Sequence, residues 1–125
     1  MAESANPTTG ELAILQVLWK HGPATVREVH TRLADGRGYT TVLKLMQIMA
    51  AKGLVVRDEG RQAHVYRAAI PEAAAQQSLA RGLLDRAFDG SASKLLVAAL
   101  SGRRASRREM AELRAMLDDM ERGAK

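Results

Sequence analysis

Thr40, Thr41, Lys44 and Gln47 fall within one stretch, residues 39–55, and offer two hydroxyls, an ammonium and a carboxamide. Such groups donate to phosphate oxygens and meet the edges of bases. In the same stretch Val42, Leu45, Met46 and Met49 follow i, i+3, i+4, i+7 spacing. That spacing predicts a helix whose apolar stripe faces a core and whose polar groups cluster away from it. Lys52-Gly53 closes the helix, with a cation at its negative end and a residue tolerant of left-handed dihedrals. Arg37 and Tyr39, at its entrance, join the candidates for the same contact. Thr40 has two readings, as a capping hydroxyl or as a contact to a polyanion. The two are compatible, because a helix N-terminus is itself a phosphate site.

These side chains need a scaffold, and the flanking sequence supplies one. Thr8-Thr9-Gly10-Glu11 is a T-x-x-E capping box, followed by Leu12, Leu15, Leu18 and Trp19 on a helical stripe as far as Lys20. His21-Gly22-Pro23 is a stop and turn. Thr25-Val26-Arg27-Glu28 is a second capping box, opening a short helix with Val26, Val29 and Leu33 on one face. The third helix follows a Gly36-Arg37-Gly38 loop. Leu54–Arg57 and Ala63–Arg67 then read as strands around a hairpin loop, Asp58-Glu59-Gly60-Arg61-Gln62. Arg61 at the tip and His64 beside it are candidates for backbone or minor-groove contact. Helix, short helix, helix and hairpin is the layout of a winged helix-turn-helix. The expected fold class is therefore mainly α with a small β-hairpin wing.

The natural boundary lies near Ile70-Pro71. Residues 1–70 are expected to form the winged-helix domain and residues 71–125 a three-helix domain. In the latter, Leu79, Leu83, Leu84 and Phe88 line one helix and Leu95, Leu96 and Leu100 a second. Ser106-Arg107-Arg108-Glu109 is a third capping box. It opens a last helix carrying Met110, Leu113, Leu117 and Met120 at 3-4-3 spacing, a coiled-coil-like seam. Narrow apolar stripes with few aromatics leave much surface wet in a monomer. These residues are therefore expected to form a homodimer seam, twofold symmetry being the commonest arrangement. Arg103, Arg104, Arg107 and Arg108 read as a solvated or inter-subunit salt-bridging patch, since cations in a first turn oppose the helix dipole.

Composition narrows the function classes. The chain has 125 residues, a formal charge of +5 and no cysteine. A basic balance fits a polyanionic partner, but the charge is spread over both halves and does not locate the face. Without cysteine there is no disulfide framework, thiolate metal site or cysteine nucleophile. Three scattered histidines, of which His21 and His30 read as surface residues, make no zinc pattern. No nucleophile motif or phosphate loop is present, so a small hydrolase fits worst and no cofactor is expected. No apolar run reaches membrane-spanning length and residues 1–10 lack a signal-peptide core, so the expected location is cytoplasmic. A winged helix used only for protein binding is the alternative. Lys44 and Lys52, with no acid on the third helix, favour DNA over it.

From Glu11 to Arg67 the chain resembles the penicillinase-repressor (BlaI/MecI-type) family of bacterial winged-helix repressors. The matching pieces are Glu11-Leu12-Ala13-Ile14-Leu15 with Leu18-Trp19, Thr25–Val29, Tyr39-Thr40-Thr41-Val42, Lys52-Gly53-Leu54-Val55 and His64-Val65-Tyr66. Leu83-Leu84, Phe88–Ser91 and Ser106–Leu113 match more loosely. The resemblance implies a homodimeric repressor of a double-stranded DNA dyad operator, with Thr40, Thr41 and Lys44 in the major groove and Arg61 and His64 on the wing. It also implies, as a partner, a membrane-bound zinc-metalloprotease sensor that relieves repression by cleavage. The chain departs from relatives that carry Thr where Lys44 stands and Arg where Ile48 stands. It also lacks, in Leu96–Leu100, the Asn-Phe pair of the cleaved members, and it lacks the cysteine motif of the copper-responsive branch.

Overall fold

The computed structural model describes residues 7–60, 63–102 and 105–123. The chain divides into two compact units, residues 1–81 and 82–125. The first unit opens with α1 (Thr9–His21). Thr8 caps it: its hydroxyl accepts the Glu11 N–H at 3.2 Å, and Glu11 Oε1 accepts the Thr8 N–H at 2.9 Å. The second capping box is built the same way, with Thr25 and Glu28 opening α2 (Val26–Leu33). Helix α3 (Tyr39–Lys52) ends at Gly53, whose φ is +83°. The Gly53 N–H reaches Ala50 O and the Leu54 N–H reaches Met49 O, so the last carbonyls are satisfied by a Schellman closure. Leu54 is thereby drawn out of the strand expected to include it and into the core.

Three strands form an antiparallel sheet in the order β1-β3-β2: β1 (Ala24–Thr25), β2 (Val55–Asp58) and β3 (Val65–Ala68). Only the β2–β3 wing was legible as a hairpin. Strand β1, two residues long, is too short to show any alternation. It exists because Thr25, as a cap, must be extended (φ −78°, ψ 166°), which aligns Ala24 and Thr25 with Tyr66 and Val65. On its other edge β3 pairs with β2, with Arg57 opposite Tyr66. Ala63 and His64, expected in the second strand, precede it.

The core of this unit joins Ile14, Leu15 and Leu18 of α1, Val26 and Val29 of α2, Val42, Met46 and Met49 of α3, and Leu54, Val55 and Tyr66 from the sheet side. Ile14 takes the buried place that the expected stripe assigned to Leu12, which is only half-buried. Trp19 lies at the margin, and its indole N–H donates to Ile70 O at 2.9 Å, tying α1 to the chain after the sheet. The one buried charge among the described residues is Glu11, 2% exposed. Lys52, from the far end of α3, places Nζ 2.8 and 3.0 Å from its two carboxylate oxygens. Burial pushes the Glu11 carboxyl up. The Lys52 ammonium and the Thr8 N–H outweigh that, and its pKa is held below the ordinary carboxylate value.

Helix α4 (Glu72–Ala87) spans the division between the units, and α5 (Ala92–Ser101) and α6 (Arg107–Gly123) complete the second. Ser91 and Ser106 accept the Lys94 and Glu109 N–H groups as N-caps. Neither α5 nor α6 contains a buried residue.

Lys52→Met strands the Glu11 carboxylate and is expected to destabilise the protein by about 2 kcal/mol, below the range for wholly buried pairs because Lys52 keeps 30% exposure. Glu11→Gln is milder, since it keeps the cap and lets Lys52 turn to water. A carboxyl with a depressed folded pKa contributes stability above its unfolded pKa and loses it as the pH falls through the folded one. In Lys52→Met the same buried carboxyl loses the ammonium and is pushed up by burial, so the stability gap between wild type and Lys52→Met should narrow as the pH falls from neutrality into the acid range. Urea titrations at pH 7 and pH 3.5 would measure it, and a gap constant with pH would contradict the assignment.

Candidate nucleic-acid interface

Helix α3 turns Val42, Met46 and Met49 into the core, which leaves Thr40, Thr41, Lys44, Gln47, Ile48 and Ala51 exposed on its opposite side. The capping reading of Thr40 is corrected by the structure. Gly38 is the N-cap, no side chain caps the helix, and Thr40 is its second residue. Its hydroxyl is therefore not engaged in closing the helix end. The first turn of α3 carries no acid, so its positive dipole end is uncompensated.

Tyr39 occupies a constrained position beside this face. The Arg27 guanidinium lies 5.6 Å from its ring centroid, within cation–π range. His30 meets the ring edge-on at 6.1 Å. His30 Nε2 also lies 2.9 Å from Arg37 O, and because a carbonyl only accepts, that nitrogen carries the proton. His30 is thus half-buried and bonded, not the plain surface residue expected. Arg37 is half-buried as well. Its guanidinium pairs with Asp35, and its N–H bonds to Asp35 Oδ1 at 3.1 Å. It packs near Gly10, where an added Cβ would meet Arg37 Nη2 at 3.4 Å. In this position Arg37 braces the loop before α3.

A groove of about 540 Å³ runs between α3 and the wing. Thr25, Val26 and Arg27 form its α2 end, Tyr39, Leu43 and Gln47 its α3 wall, and Arg57, Ala63, His64 and Tyr66 its wing wall. The walls carry two guanidiniums and an imidazole. Arg57 is held charged by Glu59 and by the buried Tyr66, which raise its pKa further. The structure therefore brings Tyr39, Gln47 and His64 to one groove and places Thr40, Thr41 and Lys44 on the adjoining open face of α3. Arg61 lies outside the described residues, as do Arg103 and Arg104. Arg27 and Arg57 were missed by sequence reasoning. Arg27 looked like filler within a capping box, and only the position of Tyr39 marks it. Among the described residues, no three His, Asp or Glu gather where a metal could be held, and no helix is long and apolar enough to cross a membrane.

In the second unit, Leu84, Phe88, Leu95, Leu100, Met110 and Leu113 are half-buried, as is Leu79 at the end of the first. Leu83, Leu96, Leu117 and Met120 are exposed, Met120 at 68%. Val97, and Met116, which was not singled out from sequence, are also large exposed apolar residues. Arg107 and Arg108 lie in solvent, with Arg108 3.6 Å from Glu112.

Three helices closed by a small antiparallel sheet, with a hairpin beside an exposed third helix, define a winged helix of the transcription-regulator class. MarR from Staphylococcus aureus, solved with salicylate and kanamycin, shares this fold, with a TM-score of 0.51 and 20% identity over 96% of this chain and 75% of that one. Two Mycobacterium tuberculosis proteins (strains CDC 1551 / Oshkosh and ATCC 25618 / H37Rv), each a transcriptional regulator BlaI, are 41% identical over 59 residues. That stretch is 45% of this chain and 43% of theirs, so the match spans under half the length of those relatives. The penicillinase repressor family matches residues 7–119, and the chain belongs to it. It is a family of winged-helix transcriptional repressors, not of enzymes.

If Arg27 meets a backbone phosphate, Arg27→Met should weaken binding to any duplex about equally and lower the slope of log affinity against log salt by about 0.9. Loss of the cation–π contact with Tyr39 predicts a stability cost of no more than about 1 kcal/mol. Fluorescence anisotropy at several salt concentrations, together with thermal melts, would measure both, and an unchanged slope would remove Arg27 from the contact surface.

Proposed function

We propose that this protein is a homodimeric repressor of a dyad operator, with α3 of each protomer in the major groove and the β2–β3 wing on the backbone or minor groove. The observation that carries the reading is the open, acid-free face of α3 beside a cation-walled groove. Fourteen residues make α3 roughly 21 Å long at 1.5 Å per residue, ample for the major groove. Thr40 and Thr41 stand near its dipole-positive end, where phosphates are favoured. Lys44, one turn on, is placed for a base edge, with guanine O6 and N7 as its best acceptors. Gln47 and His64 face the strand that would pass between α3 and wing.

Dimerisation rests on the second unit. Its α5 and α6 contain no fully buried residue, and they present Leu96, Val97, Met116, Leu117 and Met120 to solvent. Met116, Leu117 and Met120 share one face of α6 by their spacing, and an exposed apolar stripe of this kind fits an interaction site. A second copy offers the same surface, so an isologous seam covers both at once. Operator dyads mirror that symmetry, with half-sites one helical turn or a multiple apart.

Footprinting of the purified protein on the DNA upstream of its own gene, with a scrambled duplex as control, should protect a dyad at two protomers per site. Equal, salt-labile binding to both duplexes would defeat the proposal and leave a protein-binding winged helix. Lys44→Ala should cost about 1–3 kcal/mol on the operator if it reads a base. Leu117→Glu should raise the dimer dissociation constant at least tenfold by sedimentation, roughly 1.4 kcal/mol. Because Leu117 is exposed in the protomer, it should do so without lowering the melting temperature of the first unit.

A further inference from the structure

One residue on the exposed face of α3 does not fit the polar character of the rest. Ile48 is 44% exposed, while Val42, Met46 and Met49 of the same helix are wholly buried. It is not a core residue displaced by crowding, because it lies on the side of α3 away from that stripe. It belongs to the row Thr41, Lys44, Ile48, Ala51, whose 3-4-3 spacing keeps all four on one face. Tyr39, the other large exposed apolar group on α3, is engaged by Arg27 and His30.

We infer that Ile48 is a specificity-determining residue that packs on the C5-methyl of a thymine in each operator half-site. The inference rests on the proposed placement of α3 in the major groove and adds the base that this face selects. The chemistry is restrictive. Among the base edges in the major groove, the thymine methyl is the apolar feature, and apolar side chains are its ordinary partners. An isoleucine in a helix is confined almost entirely to one χ1 rotamer, so little side-chain freedom is lost when it docks. Its neighbours limit where the thymine lies. Ile48 follows Lys44 by four residues, about 6 Å along the helix axis. Successive base pairs are about 3.4 Å apart. The selected thymine therefore falls within about two base pairs of the base that Lys44 meets.

The test uses the full-length protein and the duplex it enriches from a random library. Each thymine of that duplex is replaced in turn by deoxyuridine, which removes one methyl and leaves every hydrogen-bonding group in place. Wild type should lose about fourfold in affinity at one symmetry-related thymine, the worth of one buried methyl. Ile48→Ala should bind the unmodified duplex more weakly and show no response to deoxyuridine at that position. It should keep wild-type melting temperature and sedimentation. Failure to enrich any sequence would count against the repressor reading itself. Enrichment of a dyad with no methyl-sensitive thymine, or equal methyl sensitivity in wild type and Ile48→Ala, would overturn the role of Ile48 alone. A change in association state in Ile48→Ala would also overturn it, by assigning the residue to a protein contact.

Discussion

The ion pair between Glu11 and Lys52 is the constraint on which the first unit turns. A carboxylate in the first turn of α1 is required by the capping box with Thr8, and the core closes over it. Taken from water alone, that charge would be strongly destabilising. Lys52 reaches it from the last turn of α3, so the start of α1 and the end of α3 have to meet. Gly53 then reverses the chain at once, sending Leu54 and Val55 into the core and the β2 strand outward. The direction of the wing thus follows from where α3 is made to end. The exposed face of α3 is fixed by the same geometry, because Val42, Met46 and Met49 must face α1 and α2 while the pair holds.

A second set of contacts holds the other end of α3. His30 binds the Arg37 carbonyl and abuts Tyr39, Arg27 lies over the Tyr39 ring, and Arg37 is folded back on Asp35. These groups join the α2 helix, the loop and the start of α3, with Asp35 taken up by Arg37 and no acid in the first turn of the helix. The end of α3 that would approach phosphates is therefore braced by aromatic and cationic contacts, which leave its positive dipole end unopposed. The groove beside it inherits Arg27 and Arg57 as wall residues. In the proposed function those two charges surround the path of one DNA strand, and the residues that discriminate bases lie one helix face away.

The second unit follows a different logic. Its helices are capped and individually regular, yet α5 and α6 contain no fully buried residue. The apolar residues spaced along α6 therefore gain little from the protomer, and the proposed twofold seam is where their burial would be realised. This separates stability from assembly. The first unit is held by its own core, and in the proposed function the second would supply the surface through which symmetry is imposed on DNA reading.

Much of this was legible in the chain before any coordinates. The capping boxes at Thr8 and Thr25, the helix stop at Lys52-Gly53, the wing, and the division of α3 into a buried and a polar face all depend on residues near one another in sequence. Local hydrogen bonding and helical periodicity determine such features. What the sequence could not show depends on contacts between distant residues. Glu11 read only as a cap, because its partner lies at the far end of another helix. Strand β1 was invisible, because two extended residues become a strand only when Tyr66 arrives beside them. Arg27 carried no signal until Tyr39 was set under it, and Thr40 shared its reading as a cap until the helix was seen to begin at Tyr39, behind Gly38. Local pattern determined the elements and their faces. Only the tertiary structure decided which charges are paired, which rings are braced, and which side chains of α3 are left free to meet a partner.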